Sequence, residues 1–178
     1  DYPSWWDGFL STVDDIKSIK IEKHKEDGTK NIIINGDIFI TLDKCNKITK
    51  YKNHHLERVD NDFLASNDSL VEIDIPNVVS IDEDFLYGNT TIRKLNLPNV
   101  REIGWSALAS VPHMDEVNLP KCRVIDDGFL ESCDMESISL PNVDKIGEDF
   151  LQSAVNLTSI SLPKVRDIGR KFLEHNNR

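Results

Sequence analysis

Residues 135–178 read MESISLPNVDKIGEDFLQSAVN and then LTSISLPKVRDIGRKFLEHNNR, two segments of 22 residues that coincide at S-I-S-L-P, V, I-G and F-L. Toward the N-terminus the pattern returns as MDEVNLPKCRVIDDGFLESCD from Met114, IRKLNLPNVREIGWSALASVPH from Ile92 and LVEIDIPNVVSIDEDFLYGNTT from Leu70. Prolines mark the period: Pro76, Pro98, Pro120, Pro141 and Pro163 stand 22, 22, 21 and 22 residues apart. A degenerate unit, ITKYKNHHLERVDNDFLASNDS from Ile48, precedes them. A fixed period in the twenties is the signature of a solenoid. Residues 48–178 thus divide into six units of 21–22 residues, and residues 1–47 stand outside the repeat.

Numbering each unit from 1, positions 1, 4, 6, 9, 12, 16 and 17 are apolar, except in the first unit, which has Asn53 and His54 where later units have Ile or Leu followed by Pro. Positions 4 and 6 alternate with polar positions 3 and 5, which is strand spacing. Proline at position 7 ends the strand, because it has no N–H for the ladder. Positions 13–19 read as a short helical turn. Its N-cap is Asp or Gly at position 13 (Asp60, Asp82, Gly104, Asp126, Gly147, Gly169), and Phe-Leu at 16 and 17 anchors it on the core. No unit can bury seven apolar side chains alone, so stacking must make the core continuous. The expected class is α/β: a right-handed leucine-rich-repeat horseshoe with a parallel sheet and short helical turns.

The run L-x-x-I-x-L-P-x-V-x-x-I-G-x-x-F-L is similar to the BspA-type leucine-rich repeats. The likeness is full over Leu70–Arg178 and weaker over Ile48–Ser69. Cys133 falls where that family often has a cysteine; the equivalent positions hold Asn67, Asn89, Val111, Ala154 and Asn176. The resemblance implies a bacterial surface protein, or a secreted protein that meets host cells. The unit also looks like repeats of some type III secreted effectors of enteric pathogens.

Ahead of the repeats, Pro3-Ser4-Trp5-Trp6-Asp7-Gly8-Phe9-Leu10 opens an amphipathic pattern that continues through Val13 and Ile16, which predicts a short helix. Ser18–Lys25 and Lys30–Asn35 flank the turn Glu26-Asp27-Gly28-Thr29, and Asn35-Gly36 leads into Asp37–Leu42. A helix and a three-stranded meander over residues 1–47 would cap the open end of the stack. Trp5 and Trp6 either pack in that cap or form a partner hot spot. The far end stops at the last residue of a unit. The natural protein is therefore expected to continue past Arg178, with more repeats or an effector domain.

Positions 3 and 5 face the concave side. From the second unit on they read Glu72, Lys94, Glu116, Ser137, Ser159 and Asp74, Asn96, Asn118, Ser139, Ser161. With Lys50 in front, position 3 alternates in sign, and in-register strands would pair opposite charges. This strip is the candidate partner-binding surface. Acidic clusters recur at positions 13–15, for which helix N-termini offer a structural reason and a basic partner a functional one. Ala107 occupies a Phe slot. Trp105 is expected to fold inward and fill the gap; otherwise it is an exposed binding anchor.

The chain has 21 Lys and Arg against 31 Asp and Glu, a net charge of −10, shared as −2 over residues 1–47 and −8 over the repeats. That balance excludes a general nucleic-acid binder and docking on anionic membranes. No apolar run approaches a membrane span. Three cysteines without a Cys-x-x-Cys pair suggest free thiols, and the His54-His55 pair has no ligands at metal spacing. Asn67, Asn89 and Asn156 open glycosylation sequons. No nucleophile elbow, P-loop, dinucleotide fingerprint or zinc motif occurs. The expected function is non-catalytic protein recognition without a cofactor, by a bacterial secreted protein that is delivered into a host cell or displayed at the bacterial surface, with a host protein as partner. The alternatives are a cell-surface adhesin or matrix binder, and the substrate-recognition part of an effector enzyme such as a ubiquitin ligase.

Overall fold

The structure is a computed structural model that describes residues 17–43 and 47–176. The helix expected over the first residues, with Trp5 and Trp6, lies outside the described residues. The cap contributes β1 (Ile19–Lys23), β2 (Lys30–Ile34) and β3 (Asp37–Leu42). Each repeat then forms one coil with two short strands. They are β4 (Ile48–Lys52) and β5 (Arg58–Val59), β6 (Glu72–Asp74) and β7 (Ser80–Ile81), and β8 (Lys94–Asn96) and β9 (Glu102–Ile103). The later coils give β10 (Glu116–Asn118) and β11 (Val124–Ile125), β12 (Ser137–Ser139) and β13 (Lys145–Ile146), and β14 (Ser159–Ser161) and β15 (Asp167–Ile168).

The first strand of each coil builds the row that carries positions 3 and 5. The antiparallel meander β1-β2-β3 pairs through β3 with β4, and β4 pairs in parallel with β6. Two further parallel pairs, β8 with β10 and β12 with β14, continue the row. The second strands, at positions 11 and 12, form a six-stranded parallel sheet from β5 to β15. This second sheet was not foreseen: two residues per coil are too short to leave a period-2 signal.

The corner between the two strands is a tight turn. The position 9 N–H donates to the position 6 carbonyl, as in Val78 to Ile75 at 3.3 Å and Cys122 to Leu119 at 3.3 Å. Proline thus sits at the second residue of a turn, where its fixed φ is an asset.

The expected helical turns do not form, and among the described residues there is no helix. The α/β class therefore gives way to a β-solenoid. Over positions 13–19 the backbone alternates in hand: Asp84, Leu86 and Gly88 have φ of 55°, 56° and 66°, and Asp149, Leu151 and Ser153 repeat this at 55°, 51° and 60°. The alternation turns successive N–H groups toward opposite neighbours. Asp84 donates to Trp105 of the next coil (2.8 Å), Leu86 to Phe63 of the preceding coil (3.1 Å), and Gly88 to Ala109 of the next (2.9 Å). A helix would close those bonds inside its own coil. It is also about 10 Å across, whereas stacked strands stand about 4.8 Å apart. Helices on that side would hold the coils farther apart, whereas the hydrogen-bonded row keeps them at strand spacing. Position 13 is accordingly a packing position and not an N-cap. A Cβ on Gly169 would lie 2.4 Å from the carbonyl carbon of Gly147.

Inside, the apolar positions form one continuous core. Aromatic rings stack along it: Phe129 on Phe150 at 5.9 Å, and Phe150 on Phe172 at 5.5 Å. A second run, Phe39–Tyr51–Phe63–Phe85, ties the cap to the first coils. The runs stop on either side of coil 3, where Ala107 fills the ring slot. Tyr51, at the inward position 4 of the first coil, is 1% exposed, and its hydroxyl accepts from Asn53 Nδ2.

Candidate functional site

Parallel pairing holds the position 3 and position 5 side chains in straight files. Glu72, Lys94, Asn96, Glu116, Asn118, Ser137, Ser139, Ser159 and Ser161 are exposed and Asp74 is half-buried. Lys50 pairs with Glu72 at 2.8 Å, and Lys94 with Glu116 at 3.0 Å. His54 Nε2 meets Asp74 at 2.9 Å, and Asn118 Nδ2 donates to Asn96 Oδ1 at 2.8 Å. The strip therefore has two ends of different character. In the first four coils the polar groups already satisfy one another. In the last two, Ser137 lies beside Ser159 and Ser139 beside Ser161, and among the described residues their hydroxyls make no side-chain hydrogen bond.

At its cap end the strip runs into a groove of ≈ 730 Å³ that includes Ile38, Thr41, Lys50, Tyr51, Lys52 and Glu72 in its wall. This groove escaped the sequence reading because of a bulge. The β2–β3 register shifts between Ile32 and Ile33, so Phe39 and Ile40 are both buried while Ile38 is 46% exposed.

A file at position 8 was also missed. Asn99 Nδ2 donates to the Pro76 carbonyl at 2.9 Å, and Asn142 Nδ2 to the Pro120 carbonyl at 2.7 Å. The residues that follow, Lys121 and Lys164, donate to Asn99 and Asn142 in turn. The recurring Pro-Asn and Pro-Lys dipeptides were the available signal.

Trp105 does not fold inward; it is 57% exposed. Ala107 and Leu108 close the interior beneath it at 0% and 1%. The acidic clusters lie on the alternating segment, so their helix N-terminus explanation lapses. Asn61 and Asp127 instead accept backbone N–H groups of Glu83 and Glu148 in the next coil. Of the sequon residues, Asn89 is fully buried, and its Oδ1 accepts from the N–H groups of Thr91 and Ile92. A glycan cannot be attached there in the folded chain.

Among the described residues, no group of three or more His, Cys, Asp or Glu is placed to hold a metal ion, and no helix is long and apolar enough to cross a membrane. Cys122 and Cys133 are buried free thiols. Burial pushes the Cys122 thiol up to about 12, against smaller opposing hydrogen bonds from the Val124 and Arg123 backbone, and burial raises Cys133 as well. At pH 8 the Cys122 thiolate fraction is about a thousandfold below that of an ordinary thiol. In a chain carrying Cys45→Ser, an aromatic disulfide reagent should leave both thiols unmodified at pH 8 until denaturant is added. Labelling of the folded chain at a free-cysteine rate would contradict this.

A family model described as BspA type Leucine rich repeat region matches the chain in six copies, over residues 9–133 and 123–177. No curated protein and no solved structure matches it.

Proposed function

The chain belongs to the BspA-type leucine-rich-repeat family, and we propose that it is a non-catalytic protein-recognition module of a bacterial secreted protein, binding a host protein through the concave strip. Stacked repeats of this kind offer extended, rigid binding surfaces. The observation that carries the reading is the serine end of the strip, where Ser137, Ser139, Ser159 and Ser161 stand in register and exposed. A partner docking there gains hydrogen bonds without breaking any within the chain. At the charged end it would first have to desolvate formed ion pairs, which offsets most of the gain. Asn96 and Asn118 continue the strip next to the serines, bonded to each other. The family's common occurrence in bacterial surface and secreted proteins supports delivery to a host cell or display at the bacterial surface.

The test is affinity capture from host-cell lysate with the whole chain immobilised. Replacing Asn96, Asn118, Ser139 and Ser161 together by Lys should lower retention of the specific partner by about tenfold or more. The four lysines would stand in register and repel one another, and the Asn118–Asn96 hydrogen bond is lost, so the thermal midpoint should fall modestly while circular dichroism keeps the parent's folded signature. Full retention by the quadruple variant would overturn the concave-strip reading.

A further inference from the structure

Positions 13–19 of the first four coils (60–66, 82–88, 104–110 and 126–132) hold eight acidic residues and no Lys, Arg or His. Trp105 stands among them at position 14 of coil 3. At 57% it is more exposed than any other large apolar side chain of the described residues. The position 14 residues on either side of it are Glu83 and Asp127. Tyr87, 41% exposed, belongs to the same face and lies a coil away beside Ala109.

The backbone fixes this arrangement. Asp84 N–H donates to the Trp105 carbonyl and Ser106 N–H to the Asp127 carbonyl, both at 2.8 Å. Gly104 packs so closely on coil 2 that a Cβ would lie 2.8 Å from the Asp82 carbonyl carbon. The indole is therefore held outward by a segment bonded on both sides.

The acids around it are largely unneutralised. Arg58 reaches Asp82 at 3.4 Å, but among the described residues Glu83, Asp84, Asp126 and Asp127 have no ion-pair partner. Beyond coil 4 the charge is cancelled, by Arg170 on Glu148 and Lys171 on Asp149 at 3.0 Å each. Negative potential is thus concentrated around the one exposed indole of the described residues.

We infer that this convex face is a second docking surface, which takes an arginine-bearing basic segment of a partner protein with a guanidinium stacked on Trp105. A guanidinium is planar, stacks on indole and forks to carboxylates, whereas an ammonium is a compact, strongly hydrated point charge. Glu83 and Asp127 accept from flanking cations of the same segment. The surface lies on a different row of the coil from the serines of the concave strip, so each can be lost without the other.

The experiment titrates the whole chain, carrying Trp5→Phe and Trp6→Phe so that Trp105 alone emits, with octa-arginine and octa-lysine peptides at physiological salt. Octa-arginine should quench the emission saturably and bind more tightly than octa-lysine. By calorimetry, Trp105→Ala should weaken octa-arginine about tenfold, and Trp105→Phe should restore part of that loss. Glu83→Lys with Asp127→Lys should abolish binding, while Ser139→Lys with Ser161→Lys leaves it unchanged. Circular dichroism of Trp105→Ala should match that of the parent, since the side chain is exposed. Equal affinity of Trp105→Ala and parent, equal affinity for the two peptides, or no binding at all would overturn the inference.

Discussion

Phe150→Ala is expected to cost about 3–5 kcal/mol of folding free energy. The ring is fully buried and stacks on Phe129 with planes 19° apart and on Phe172 with planes 7° apart. Truncation removes the centre of that three-ring run, so both stacks are lost together. The coils meet through backbone rows on all sides, and those rows resist collapse into the cavity. The cost should therefore fall in the upper part of the range. A domain of this size is stable by about 5–15 kcal/mol, so the loss is a large share of the total. Urea unfolding followed by circular dichroism should show a lower midpoint with little change of slope. A loss below about 1 kcal/mol would mean that the stacked rings are not the spine of the last coils. Coil 3 shows that the fold can tolerate alanine in the slot once, at Ala107, between the two aromatic runs.

The same slot shows how far the sequence could be read. The proline period and the apolar positions are sufficient to derive stacked coils, because burial demands partners above and below each unit. They do not distinguish a helix from an alternating backbone over positions 13–19. Two adjacent apolar residues, such as Phe85 and Leu86, satisfy either. The informative residues were the small or polar ones at positions 15 and 19. Asp84 and Gly88, Gly128 and Ser132, and Asp149 and Ser153 all have positive φ, and Asp and Gly tolerate that region best. The leucines at position 17 do not, and they adopt it because the neighbouring coil accepts their N–H. That is a tertiary cause, invisible along the chain.

Trp105 stays outside for a related reason: one missing ring does not by itself leave a void, since Ala107 and Ala109 are both buried without the indole. The concave files were legible, since alternation fixes which side chains point out. Which of them already had partners was not, because pairing depends on neighbours 22 residues away. Position 20 makes the same point. Asn67 and Asn89 close the turn into the next coil with their side chains, accepting from Leu70 and Ile92. Where the residue is Val111 or Ala154, its own carbonyl accepts from Met114 or Leu157 instead. Two chemistries serve one turn, so the irregular residue usage there hides a regular structure.

Ile40→Asp is expected to have the other large effect, and at the opposite end. Ile40 is fully buried at the centre of the cap sheet, opposite Ile32 on one side and Tyr51 on the other. The neighbouring core is apolar and offers a carboxylate no cation. The cost should reach about 4 kcal/mol or more, as for other buried unpaired charges. Its distribution is the more informative quantity. In a stack, each coil is stabilised mainly by its neighbours, so damage should stay near its origin. Ile40→Asp should open the cap and the first coils, with hydrogen-exchange protection lost at the amides of Ile32 and Tyr51. The amides of Ile125 and Ile146, in the six-stranded sheet, should remain protected. Phe150→Ala should give the mirror image, because its lost contacts lie in coils 4 to 6. The Phe39–Tyr51–Phe63–Phe85 run should carry cap damage as far as coil 2 and no further, since no ring of coil 3 continues it. Uniform loss of protection across all coils in either variant would show a single cooperative unit and overturn the nearest-neighbour account.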